Sequence, residues 1–138
     1  MALSQSQAHK SWCGYAFETV CLQHVPQIKE ALRIGGIYTQ SSTFYQAGNK
    51  DREGAQIDLL LDRNDGVVNL IETKFYDGPY RVDKSTLTRL EKQRRVFQSA
   101  VGNRKQLSWV LLTADDGERT ADSQGVIDHF LSGDDWFE

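Results

Sequence analysis

Apolar positions recur at helical spacing near the start of the chain. Phe17, Val20, Cys21 and His24 form one stripe, widened by Tyr15, Leu22 and Val25, which predicts a largely buried helix over residues 12–25. Pro26 cannot donate a backbone hydrogen bond inside a helix, but it suits the first turn of a second short helix running to about Arg33. Gly35-Gly36 is expected to end that element. Residues 36–47, rich in Thr, Tyr and Phe, read as a strand, and a flexible connection follows from Gly48 to Gly54.

Two compact apolar runs come next, Ile57 to Leu61 and Val67 to Phe75. Asn64-Asp65-Gly66 between them predicts a β-hairpin, because Asp-Gly supplies the positive φ that a tight turn needs. Beyond the Asp77-Gly78-Pro79 turn, residues 84–100 predict an amphipathic helix with Leu87, Leu90, Val96, Phe97 and Ala100 inward. Leu107 to Thr113 predicts a last buried strand, and residues 123–131 a short helix. The order is α-β-β-β-α-β with a terminal helix, an α/β fold with a mixed central sheet flanked by helices. No repeat or long linker divides the chain, so residues 1–138 are expected to form one domain. Its core is expected at about 12–113, with the short helix and an acidic tail in 114–138.

Composition narrows the class. The 138 residues are 39% hydrophobic and 25% charged, with no apolar run long enough to span a bilayer and no signal-peptide pattern at the N-terminus. A cytoplasmic protein without a membrane partner is therefore expected. Cys13 and Cys21, placed on one helix, would lie about 12 Å apart at a rise of about 1.5 Å per residue. That is too far for a disulfide, so free thiols are expected. The histidines are scattered and suggest no zinc site, and His24 reads as a core residue.

The formal charge of −3 conceals an asymmetry. From Lys84 to Lys105 seven bases stand against Glu91 alone, while Asp115 to Glu138 holds eight acids and only Arg119. One basic helix face can hold a polyanion on a globally acidic protein, or it can be a plain solvated face.

The chemistry concentrates in the hairpin. Asp58 interrupts Gln56-Ile-Asp-Leu-Leu-Leu, and Glu72 and Lys74 sit in Asn69-Leu-Ile-Glu-Thr-Lys-Phe. Alternation puts Glu72 and Lys74 on one face, and a turn near Asp65 brings Asp58 and Glu72 almost opposite each other. Charges inside apolar strands need one another, a cation or solvent. Two facing carboxylates make a site for Mg²⁺ or Mn²⁺. Glu18 adds a third carboxylate on the apolar helix, from where it can aim at the same metal.

Asp58, Glu72-Thr73-Lys74 across a hairpin and Glu18 on the preceding helix resemble the PD-(D/E)xK nuclease superfamily, with Gln56-Ile57 where the motif's name has a proline. The wording Trp12-Cys-Gly-Tyr-Ala-Phe-Glu-Thr-Val-Cys, Gly54-Ala-Gln-Ile-Asp-Leu-Leu-Leu-Asp-Arg and Glu72-Thr-Lys-Phe is similar to the nuclease-like C-terminal domain of certain prokaryotic AAA-type ATPases. The chain has no GxxxxGK[ST] loop of its own. The resemblance implies a restriction-endonuclease-like fold and a metal-dependent DNA endonuclease. Asp58, Glu72, the Thr73 backbone carbonyl and Glu18 would ligate Mg²⁺ or Mn²⁺, and Lys74 would orient or deprotonate the attacking water. Arg89, Lys92, Arg94 and Arg95 would contact the phosphodiester backbone, with Gln56 and Gln93 as secondary candidates. DNA is the expected partner, alongside an ATPase module or a second copy of the chain. Two rival expectations stand: a nuclease-fold domain that binds nucleic acid without cutting, and an accessory domain whose cluster is closed by internal salt bridges such as Glu18–Lys74.

Overall fold

The computed structural model describes residues 16–74, 80–102, 104–114, 117–118 and 126–136. The first helix, α1 (residues 16–23), is followed after a turn at His24 by α2 (Val25–Ala31), with Pro26 in its first turn. Arg33, and not the glycine pair, takes the left-handed conformation after this helix, at φ 62°. Gly35-Gly36 therefore lies beyond the helix end and does not make it.

Strands β1 (Thr39–Gln46), β2 (Ala55–Arg63) and β3 (Val67–Lys74) form an antiparallel meander. Gly66 closes the β2–β3 turn at φ +90°, the conformation expected of the Asp-Gly pair. A two-residue strand, β4 (Tyr80–Arg81), precedes α3 (Lys84–Val101), and then come β5 (Gln106–Thr113) and β6 (Gly117–Glu118). Residues 127–131 form a strand, β7 (Ile127–Leu131), where a helix is expected from the sequence, and α4 (Gly133–Trp136) follows. β7 runs parallel to β5, and the Asp128 carboxylate accepts a hydrogen bond from the Trp109 backbone N–H at 3.0 Å. That edge pairing outweighs the short helical pattern.

The main sheet has the order β1-β2-β3-β5-β7, antiparallel among the first three strands and parallel from β3 onward. β4 and β6 form a separate parallel pair. The fold is α/β, with helices on both faces of a five-stranded mixed sheet. One apolar layer joins Leu60, Leu70, Trp109 and Leu111 to Leu87, Leu90 and Phe97 of α3. The other joins Leu59, Leu61, Ile71, Val110 and Leu112 to Cys21, Ile28 and Trp136 from the remaining helices. Among the described residues no helix is long and apolar enough to cross a membrane.

α3 is fixed at its start by Asp83, whose side chain accepts the Thr86 N–H at 2.8 Å. Its buried positions are Thr86, Leu87, Leu90, Gln93, Val96 and Phe97, the helical spacing the sequence predicts. Ala100 departs from that expectation and is exposed.

Candidate active site

Alternation alone does not place Asp58, because β2 carries a bulge at that residue. Ser42 pairs with Leu60 and Phe44 with Ile57, so Thr43 of β1 stands opposite two residues of β2, Asp58 and Leu59. The faces switch accordingly: Ile57 packs with Leu60 against α3, while Leu59 and Leu61 pack on the other side.

The β2–β3 ladder ends at Leu59↔Ile71, whereas β3 stays paired with β5 as far as Lys74↔Thr113. The last rungs of β3 thus stand open on their β2 side, and Asp58 takes the place of a backbone partner there. The Thr73 N–H and the Thr73 hydroxyl both donate to Asp58 Oδ2, each at 3.1 Å. Asp58 and Glu72 occupy facing rungs as expected, but the bulge turns the Asp58 carboxylate to Thr73. Thr73 is expected from the resemblance to offer its carbonyl; the contacts it makes with Asp58 are through its donors.

Glu72 is the buried member, 5% exposed. Arg89 of α3 lies 2.5 Å from its Oε2, and Lys74 Nζ lies 3.9 Å from the same oxygen. The guanidinium is held as an ion pair, since that oxygen has no hydrogen bond of ordinary geometry. Burial raises the Glu72 pKa above the usual carboxylate range; Arg89 opposes this and the Asp58 charge adds to it. Glu18 of α1 is also raised, first by burial and then by the charges of Asp58 and Glu72. The three carboxylates therefore feel one another, as their placement on an apolar helix and hairpin predicts.

Glu18, Gln56, Asp58, Glu72, Thr73, Lys74, Arg89 and Gln93 line one cleft of about 390 Å³. Gln93 ties α3 to the start of β2, its Nε2 donating to the Gln56 carbonyl at 2.7 Å, and its Oε1 is buried without a partner. Cys21, beside this cluster, has its thiol pushed up to about 12 by burial and by the charges of Asp58 and Glu18, so it is an inert packing thiol. Cys13 and Phe75 lie outside the described residues.

The basic helix divides. Arg89 turns inward to Glu72, and Arg94 lines neither this cleft nor its neighbour. Lys92 and Arg95 line a second cleft of about 830 Å³, against the loop that carries Lys50, Arg52 and Glu53. Arg95 pairs with Glu53 there at 3.0 Å. Sequence reasoning treats that loop as a plain connection and misses it, although its alternating charges were the available signal. The loop closes tightly: a Cβ on Gly54 would stand 2.6 Å from the Gly48 nitrogen, so Gly54 admits no side chain.

Among the described residues no group of three or more His, Cys, Asp or Glu is arranged to hold a metal ion as it stands. The donors still fit Mg²⁺ or Mn²⁺ in kind. They are carboxylate oxygens at one cleft, and Glu18 and Glu72 are raised in pKa partly by neighbouring carboxylate charge that a cation relieves. Asp58 Oδ1 and Glu72 Oε1 are the oxygens outside the contacts described above.

With this geometry in view, the known proteins add one observation. No protein-family model and no curated protein matches the chain. Among solved structures it is similar to the crystal structure of a protein of unknown function, AF1548. The identity is 16% and the TM-score 0.53, over 77% of this chain and 54% of that one. The chain thus spans about half the length of this neighbour. The likeness shows the fold alone.

Proposed function

We propose that the chain is a nuclease of the PD-(D/E)xK type, with a restriction-endonuclease-like core, that hydrolyses phosphodiester bonds in DNA with carboxylate-bound Mg²⁺ or Mn²⁺. One observation carries this reading: a single cleft at the open end of the β2–β3 hairpin gathers Asp58, Glu72, Thr73 and Lys74 with Glu18 from the preceding helix. Asp58, Glu72 and Glu18 would hold the metal, which when bound supplies a more acidic water and stabilises charge on the phosphoryl oxygens. Lys74 Nζ would orient the attacking water and offset charge developing on the phosphate. The double hydrogen bond from Thr73 fixes Asp58 so that its other oxygen faces its task in one orientation. Lys92 and Arg95 lie one and two turns beyond Arg89 on α3, where a phosphodiester backbone leaving the cleft would pass. A buried free thiol at Cys21 suits a reducing, cytoplasmic compartment.

The test is incubation of the protein with single-stranded, nicked and supercoiled DNA in Mg²⁺, Mn²⁺ or EDTA, beside Asp58→Ala. Metal-dependent cleavage that vanishes in the variant supports the reading. Absence of cleavage on every substrate, with no divalent metal bound in calorimetry, overturns it.

A second reading has its own observation. Glu72 is already paired with Arg89, with Lys74 farther off, which favours an accessory domain whose cluster is closed internally. The pair it predicts is different, however: Glu18 with Lys74. Absence of cleavage together with absence of divalent-metal binding in the same experiments would select it.

A further inference from the structure

Arg89 stands where the chemistry of a nuclease site has least use for a fixed side-chain cation. Its guanidinium lies 2.5 Å from Glu72 Oε2, on the carboxylate that is most deeply buried in the cleft. Lys74 reaches the same oxygen only at 3.9 Å, so Arg89 is the closer counter-charge. The Arg89 side chain is 39% exposed, on the second turn of α3, so it is open to solvent in part. An arginine head is weakly hydrated and well suited to carboxylate or phosphate oxygens alike.

We infer that Arg89 is a positioning residue that occupies Glu72 as a resident counter-ion until a divalent metal displaces it, and that the released guanidinium then serves a phosphodiester oxygen. This rests on the nuclease reading above. Formal charges make the exchange balanced. Glu18, Asp58 and Glu72 carry three negative charges against the two positive charges of Lys74 and Arg89, so the cleft is −1. A divalent cation brings it to +1, and one bound phosphodiester returns it to zero. Without Arg89, the empty cleft would hold Glu72 buried with only a distant lysine, an arrangement that costs stability. With it, the carboxylates stay gathered in the absence of metal, and metal must compete for Glu72.

Calorimetric titration with Mn²⁺, paired with thermal melts in EDTA and in Mn²⁺, separates the outcomes for wild type, Arg89→Met and Arg89→Lys. Loss of one charged contact corresponds to about a tenfold change in affinity. Arg89→Met is therefore expected to bind Mn²⁺ about tenfold more tightly than wild type, to melt lower in EDTA and to gain more from Mn²⁺. Arg89→Lys, which keeps charge but loses the planar fork, is expected between the two and serves alone if the methionine variant does not fold. Mn²⁺ binding that is equal or weaker in the variants overturns the counter-ion role and leaves the metal site standing. No Mn²⁺ binding by any of the three proteins overturns the metal site itself, and this inference with it.

Discussion

Thr73 donates twice to one oxygen of Asp58, through its backbone N–H and through its hydroxyl, each at 3.1 Å. The first bond substitutes for a missing rung of the sheet and the second fixes the carboxylate's rotation. Thr73→Val should remove only the second. We expect a stability loss of about 1 kcal/mol and cleavage that is reduced but measurable, because the N–H remains. Asp58→Ala should abolish cleavage. Parallel melts and nuclease assays check both, and full activity in Asp58→Ala would exclude the carboxylate from the reaction.

Lys74 is half-buried, with its ammonium 3.9 Å from Glu72. Lys74→Ala should eliminate cleavage and leave DNA affinity nearly unchanged, since one lysine among several bases contributes little to binding. Filter binding at fixed salt, beside the cleavage assay, distinguishes a catalytic loss from a binding loss. Equal losses in both would make Lys74 a phosphate contact.

Arg95 is tied to Glu53 across the second cleft, whereas Arg94 lines neither cleft. If both meet the phosphate backbone, neutralising them together should reduce the slope of log affinity against log salt by about 1 to 2. An unchanged slope would remove this stretch of α3 from the interface.

Glu18 offers a test of the cluster's electrostatics without metal. Its pKa is raised above 4.5 in the fold, so its protonated form is favoured there. The associated stability is present below pH 4.5 and is lost as pH rises through the folded value. In EDTA, Glu18→Gln should therefore melt higher than wild type at pH 7, by less than about 1 kcal/mol because solvent screens a partly exposed group. The difference should fade below pH 4.5. A variant that is less stable at pH 7 would mean that Glu18 has a favourable partner.

The sequence carries most of the scaffold because its signals are local. The Asp-Gly turn, the apolar alternation of Val67–Lys74 and the periodicity of Leu87, Leu90, Val96 and Phe97 each depend on neighbours in the chain. What it conceals is decided at a distance. The bulge at Asp58 depends on how β1 pairs, and nothing in Gln56-Ile-Asp-Leu-Leu-Leu announces it. Arg89 reads as one more base on a helix until Glu72 is placed beneath it. Residues 127–131 read as helix because the strand beside them, β5, is seen only in three dimensions.

The two-against-one count at Thr43 makes the length of β2 part of the chemistry. Deleting Leu59 would let the strand run straight and draw Asp58 into the vacated rung opposite Ile71. A carboxylate would then sit in the apolar layer of Cys21, Ile28 and Val110, at a cost of several kcal/mol. A one-residue change in the Asn64–Gly66 turn leaves that count intact. Where homologous chains gain or lose residues in this hairpin, the changes should gather at its tip and avoid the stretch between Ile57 and Leu60, even where every side chain there is interchangeable.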